Sequence, residues 1–105
     1  MEPFIVVFVT FRDHDEAQDI INKVLKARLI ACANIIDNVD SFFHWQNKIE
    51  NEREAMAVMK TQRKHLTELM EWIQAHHSYS VPEIIALPII GGSGEYLNWI
   101  KEETS

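Results

Sequence analysis

Two long strand-like runs joined by a short turn constrain this chain more than any other feature. Leu29 to Trp45 and Glu52 to Lys60 are rich in β-branched, aromatic and small apolar residues. Between them, Gln46-Asn47-Lys48 reads as a hairpin turn, with Asn47 the residue that best tolerates positive φ. Asp37-Asn38 interrupts the first run and predicts a bulge or bend that lets one long strand turn a corner. Strict alternation sends Phe42 and His44 to one side of the hairpin and Phe43 and Trp45 to the other. An aromatic strand pair of this length, projecting from a small domain, is an apolar patch and an unprotected edge, so oligomerisation is expected.

The remaining elements follow from periodicity and caps. Phe4 to Val9 is a continuous apolar run, as expected of a central strand covered on both faces. Asp13 with Glu16 makes a capping-box pattern, after which Ala17, Ile20, Ile21, Val24 and Leu25 recur at helical spacing, with Lys23, Lys26 and Arg28 toward the end. Thr61 is expected to cap a second helix that carries Leu66, Leu69, Met70 and Ile73 on its apolar face and ends near His77. Glu83 to Ile90 reads as the fourth strand. Gly91-Gly92-Ser93-Gly94 lacks a following GK[ST] and leads instead into a short helix with Tyr96, Leu97 and Ile100. The order is β-α-β-β-α-β plus a short C-terminal helix. That is an α+β chain, one domain over residues 1–105, with two helices on one face of an antiparallel sheet.

Composition narrows the function classes. At 47% hydrophobic residues with 3 glycines and 3 prolines, the chain is neither disordered nor collagenous. A formal net charge of -6 argues against a basic surface for nucleic acid. The N-terminal apolar run follows Glu2, lacks a cleavage site and is far shorter than the roughly 20 residues that span a bilayer, so neither a signal peptide nor a membrane segment is expected. Cys32 is the single cysteine and has no disulfide partner in the chain, which fits a reducing, cytoplasmic setting. Flanked by Ala31 and Ala33, it reads as a small core residue with no nearby cation to activate it.

The chemistry-bearing stretch is His76 to Pro88, which gathers imidazoles, a phenol and a carboxylate where a helix ends and a strand begins. His76 and His77 are the candidate metal ligands. Adjacent helical residues diverge by about 100°, so the two can share an ion only if the helix ends between them. No two histidines stand four apart, and a closed zinc site needs about four ligands that one cysteine and scattered histidines do not supply. Val81-Pro82 aims Glu83 into the fourth strand, with Tyr79 nearby. Glu54 and Lys60 share a strand face but lie roughly 20 Å apart, so they cannot pair within one subunit: either they are solvated strand ends or each meets groups from a neighbouring subunit. Lys60 of a neighbour is the expected partner of Glu83. Trp45, Trp72 and Trp99 read as packing and interface residues, because no basic stripe accompanies them.

In register along the chain, Ala27-Arg28-Leu29-Ile30-Ala31-Cys32-Ala33-Asn34, Ser41-Phe42-Phe43-His44-Trp45, Lys60-Thr61, His77-Ser78-Tyr79, Val81-Pro82-Glu83-Ile84-Ile85-Ala86-Leu87-Pro88 and Tyr96-Leu97-Asn98-Trp99 resemble the CutA family of divalent-cation tolerance proteins. The resemblance implies a ferredoxin-like fold in a tight homotrimer, with neighbouring hairpins building intersubunit sheet. It implies a non-enzymatic protein of metal tolerance that binds a divalent cation such as copper weakly. Arg12 and Ser78 stand where the family usually has proline, and Asn47 where it has glycine. Val9 stands where members assigned a copper site have a cysteine, which removes the soft thiolate. The alternative is a signalling module whose intersubunit cleft, lined by Tyr79, Glu83, Lys60, Glu54 and Trp45, takes a small molecule or protein partner; this rests on fold analogy alone. An enzyme using Glu83, Tyr79 and His77 ranks last, since no nucleophile or dyad accompanies them.

Overall fold

The computed structural model describes residues 2–105. Its elements are β1 (Phe4–Phe11), α1 (His14–Lys26), β2 (Cys32–Trp45), β3 (Lys48–Gln62), α2 (Leu66–His76), β4 (Ile84–Pro88) and α3 (Gly94–Glu103). The strands form one antiparallel sheet in the order β2-β3-β1-β4. This is the α+β, ferredoxin-like arrangement expected from the element order.

Strand β1 is central, but it is fully covered on one face only. Ile5, Val7 and Val9 are buried in the core with Ala17, Ile20 and Val24 of α1 and Leu69 and Ile73 of α2, whereas Phe4, Val6 and Phe8 on the opposite face are half-buried. The apolar run therefore reflects a second face that the helices leave open. Helix α1 starts as read, with Asp13 Oδ1 accepting from the Glu16 amide at 2.9 Å. It ends with Arg28 in the left-handed region at φ 59, and the Leu29 and Arg28 amides donate back to the Val24 and Leu25 carbonyls. These two bonds make the Schellman closure that glycine more often supplies.

The hairpin is longer on its second arm than the sequence reading, running from Lys48 rather than Glu52 and on to Gln62 rather than Lys60. Its first arm begins at Cys32 rather than Leu29. The turn places both Gln46 (φ 49) and Asn47 (φ 64) in the left-handed region, the signature of a two-residue type I′ turn. The bulge falls between Ile36 and Val39, with Asn38 at φ 58. Because two residues are bypassed there, Ile36 and Val39 pair with Met56 and Glu54 and stay on one side of the sheet. Beyond the bulge the arm leaves the core: Phe42 is 68%, Trp45 47% and Ile49 74% exposed. The protein is accordingly elongated, 44 × 26 × 23 Å.

Thr61 does not cap the second helix. It remains in β3, fully buried, and its hydroxyl donates to the Leu29 carbonyl at 2.7 Å. Ala55, Ala57, Met59 and Thr61 continue the helix-facing alternation without a break, and the Leu29 carbonyl just before β2 gives the hydroxyl a buried acceptor. A 3-10 turn, Arg63–His65, then leads into α2 with no side-chain cap. Strand β4 is shorter than read, Ile84–Pro88, because only that stretch pairs with β1. Helix α3 is capped by Ser93 and packs on β3, burying Ile100. Gln62 donates to Thr104, and Arg28 to the Glu103 carboxylate, which fixes the end of α3.

Candidate functional site

Helix α2 ends at His76, and the chain must then cross the end of the sheet to reach β4. The first three backbone amides of the crossing each find a separate acceptor. His77 N donates to Ile73 O at 2.8 Å, Ser78 N to Glu16 Oε2 at 2.8 Å, and Tyr79 N to His77 Nδ1 at 3.0 Å. The corner is therefore built from α1, α2 and β1 together, with these three amides satisfied.

The helix ends between the two histidines, since His77 has φ -77 and ψ 146. Their rings then take different partners. His76 stacks on Trp72, with centroids 3.9 Å apart, and its Nδ1 lies 2.8 Å from the Trp72 carbonyl. His77 stacks on Phe11 at 4.9 Å, and its Nε2 lies 2.8 Å from the Thr10 carbonyl. A carbonyl oxygen only accepts, so His76 carries its proton on Nδ1 and His77 carries its proton on Nε2. His77 Nδ1 is occupied by the Tyr79 amide, which leaves that ring no free lone pair. His76 is exposed and retains the lone pair of Nε2. It lines a shallow cleft of about 360 Å³ with Arg12, Asp15, Glu16, Asp19 and Ser78. Among the described residues, no three His, Cys, Asp or Glu side chains stand close enough to hold one metal ion. A site of three such ligands is therefore not assembled by the described residues of one chain.

Tyr79 and Glu54, far apart in sequence, meet: the Tyr79 hydroxyl donates to Glu54 Oε2 at 2.8 Å, and Glu54 is only 8% exposed. Burial first, and then the bond to Glu54 and the negative charges of Glu54, Glu16 and Glu52, push the Tyr79 hydroxyl above its ordinary pKa. Glu54 thus finds its partner in its own chain, because the crossing after α2 brings Tyr79 to β3, and it is neither a solvated strand end nor dependent on a neighbour. The other cleft candidates stand apart within one chain. Lys60 donates to Asn34 Oδ1, Glu83 is exposed just before β4, and Trp45 lies at the hairpin end opposite Lys48.

Cys32 departs from its core reading. It is half-buried on the open face of the sheet, opposite Lys60 in the β2–β3 ladder, and its sulfur lies 3.2 Å from the Tyr96 hydroxyl. A cation is thus its cross-strand neighbour. The hydrogen bond to Cys32, followed by burial, raises the Tyr96 pKa. The residues that sequence reading missed are Glu16 and Asn34. Glu16 was visible only as half of a capping box, whereas its carboxylate accepts from the Arg12 amide at 3.3 Å and from Ser78. Trp72, four residues before His76, was the one partner legible as a helical neighbour.

The family model for the CutA1 divalent ion tolerance protein matches residues 5–103. A relative from Arabidopsis thaliana, "Protein CutA, chloroplastic", is 39% identical over 102 residues, covering 97% of this chain and 56% of the relative. The chain thus spans little more than half the length of that plant protein. The divalent-cation tolerance protein CutA of Escherichia coli is 38% identical over 97 residues, covering 92% of this chain and 87% of the relative. The crystal structure of CutA1 from Oryza sativa superposes with a TM-score of 0.96 at 36% identity, covering 99% of this chain and 95% of that one. With the family model matching nearly the whole of this chain and the fold reproduced, this chain belongs to the CutA1 divalent ion tolerance protein family.

Proposed function

We propose that this protein is a homotrimeric, cytoplasmic divalent-cation tolerance protein that binds a cation such as copper(II) weakly, with His76 as the imidazole ligand. The observation that carries the ligand assignment is the 2.8 Å bond from His76 Nδ1 to the Trp72 carbonyl. Metal-binding histidines usually donate their other ring N–H to a carbonyl or carboxylate, which fixes the tautomer and aims the remaining lone pair. A single imidazole on an open cleft is a weak site, and Val9 offers no thiolate to strengthen it. His77 joins only by giving up the Tyr79 amide. The trimer is supported by the exposure of Ile36, Phe42, Trp45 and Ile49 along the hairpin and of Ile85 and Leu87 on β4. No catalytic role is part of the proposal.

The test combines calorimetric titration with copper(II) and sedimentation. Wild type and His77→Ala bind copper(II), His76→Ala loses binding, and all three sediment as trimers. Binding that survives His76→Ala overturns the ligand assignment, and a monomer at micromolar concentration overturns the assembly. The second reading, a ligand cleft between subunits formed by Tyr79, Glu54, Lys60, Glu83 and Trp45, is favoured by the burial of Glu54 with the Tyr79 hydroxyl as its hydrogen-bond partner. A small molecule retained in native mass spectra by wild type and lost from a still trimeric Glu83→Gln supports it.

A further inference from the structure

The Glu16 carboxylate divides its two oxygens between two elements. Oε1 accepts from the Arg12 amide at 3.3 Å, at the N-terminus of α1, and Oε2 accepts from the Ser78 amide at 2.8 Å, in the crossing after α2. A capping-box glutamate needs only the first kind of contact. The second links α1 to the residue between His77 and Tyr79. His77 is held from β1 by its Nε2–H bond to Thr10 O, and it in turn receives the Tyr79 amide. Tyr79 then reaches Glu54. Glu16 thus ties the middle of this relay to a helix.

We infer that Glu16 is the positioning residue of the histidine corner: by holding the Ser78 amide it sets the His77–Tyr79 bond and, through it, the Tyr79–Glu54 contact. The inference deepens the reading of this corner as the functional end of the molecule. A carboxylate is required, because two N–H donors approach two different oxygens. Glutamine has the same shape but one acceptor oxygen, and its NH₂ would face a second donor. The loss from Glu16→Gln is therefore one of acceptor chemistry and not of packing.

Proline at residue 78 supplies the control. It removes the amide that Glu16 holds, and His77 already has the extended ψ of 146 that precedes proline comfortably. The experiment records amide hydrogen exchange and imidazole ¹⁵N shifts by NMR for wild type, Glu16→Gln, Ser78→Pro and the double variant. In Glu16→Gln, exchange at Ser78 and Tyr79 accelerates about tenfold, the factor expected for losing one charge-assisted hydrogen bond. His77 Nδ1 also moves away from its hydrogen-bonded shift. In the Ser78→Pro background, Glu16→Gln leaves the His77 and Tyr79 signals where Ser78→Pro alone puts them. Unchanged Tyr79 exchange and His77 shifts in Glu16→Gln overturn the inference. So does an effect of equal size in the Ser78→Pro background, which assigns Glu16 to its own helix end alone. Copper(II) titration of the same samples keeps the two readings separate: a wild type that binds no copper defeats the cation proposal, while the NMR signals still decide the role of Glu16.

Discussion

Replacing Tyr79 with phenylalanine removes one oxygen and leaves Glu54, 8% exposed, without the hydroxyl that donates to it at 2.8 Å. Hydrogen bonds to charged groups contribute roughly 1.5–3 kcal/mol, and because Tyr79 is only half-buried the lower end applies, about 1.5 kcal/mol. For a domain of this size about 4 °C accompanies each kcal/mol, so Tyr79→Phe should melt about 6 °C below wild type at neutral pH. The pH dependence follows from the raised Tyr79 pKa. The folded state keeps its phenolic proton above pH about 10, where the unfolded chain releases it, so this stability is complete below pH about 10 and declines as pH rises beyond it. Phenylalanine cannot titrate, and the gap between the two proteins should hold up to pH about 10 and narrow progressively as pH rises above it. Thermal denaturation followed by circular dichroism measures both. A Tyr79→Phe protein melting within about 2 °C of wild type, the scatter of neutral surface substitutions, would refute the reasoning.

Thr61→Val should cost about 1–3 kcal/mol in chemical denaturation, because it leaves the buried Leu29 carbonyl without its hydroxyl donor while preserving shape. Gln46→Gly relieves a side chain held at φ 49, worth about 1 kcal/mol before the added freedom of the unfolded chain, so a small gain in denaturation midpoint is expected. Trp45→Ala, truncating a side chain 47% exposed in one subunit, should weaken assembly by about 2 kcal/mol or more in sedimentation equilibrium if the indole is an interface anchor.

Most of the architecture was legible because hydrophobic period reports directly on burial. Ala17, Ile20 and Val24 at helical spacing gave α1, and Phe42 against Phe43 gave the two faces of the hairpin. Asp37-Asn38 gave the bulge because few residues other than asparagine and glycine occupy the left-handed region that Asn38 adopts. Thr61 misled because a threonine before an apolar periodic segment is equally a cap and a β-branched strand residue, and the choice was made by the Leu29 carbonyl 32 residues away. The corner was visible as a concentration of polar groups, but its chemistry was not. Whether a histidine offers a lone pair depends on which nitrogen faces a carbonyl, and Thr10 O and Trp72 O decide that oppositely for two adjacent residues. The pairing of Tyr79 with Glu54 and the capture of Ser78 by Glu16 are likewise products of the topology, separated by 25 and 62 positions.

The most direct test of the split between the histidines is a long-range ¹H–¹⁵N correlation spectrum of the imidazoles, taken at pH about 8 before and during titration with zinc(II) as a diamagnetic divalent probe. His76 should carry its proton on Nδ1 and His77 on Nε2, as their carbonyl partners require. Added zinc(II) should then shift His76 Nε2 while His77 Nδ1 keeps its hydrogen-bonded signal. A His76 protonated on Nε2, or a metal-induced shift at His77 Nδ1 that precedes any at His76, would contradict the account.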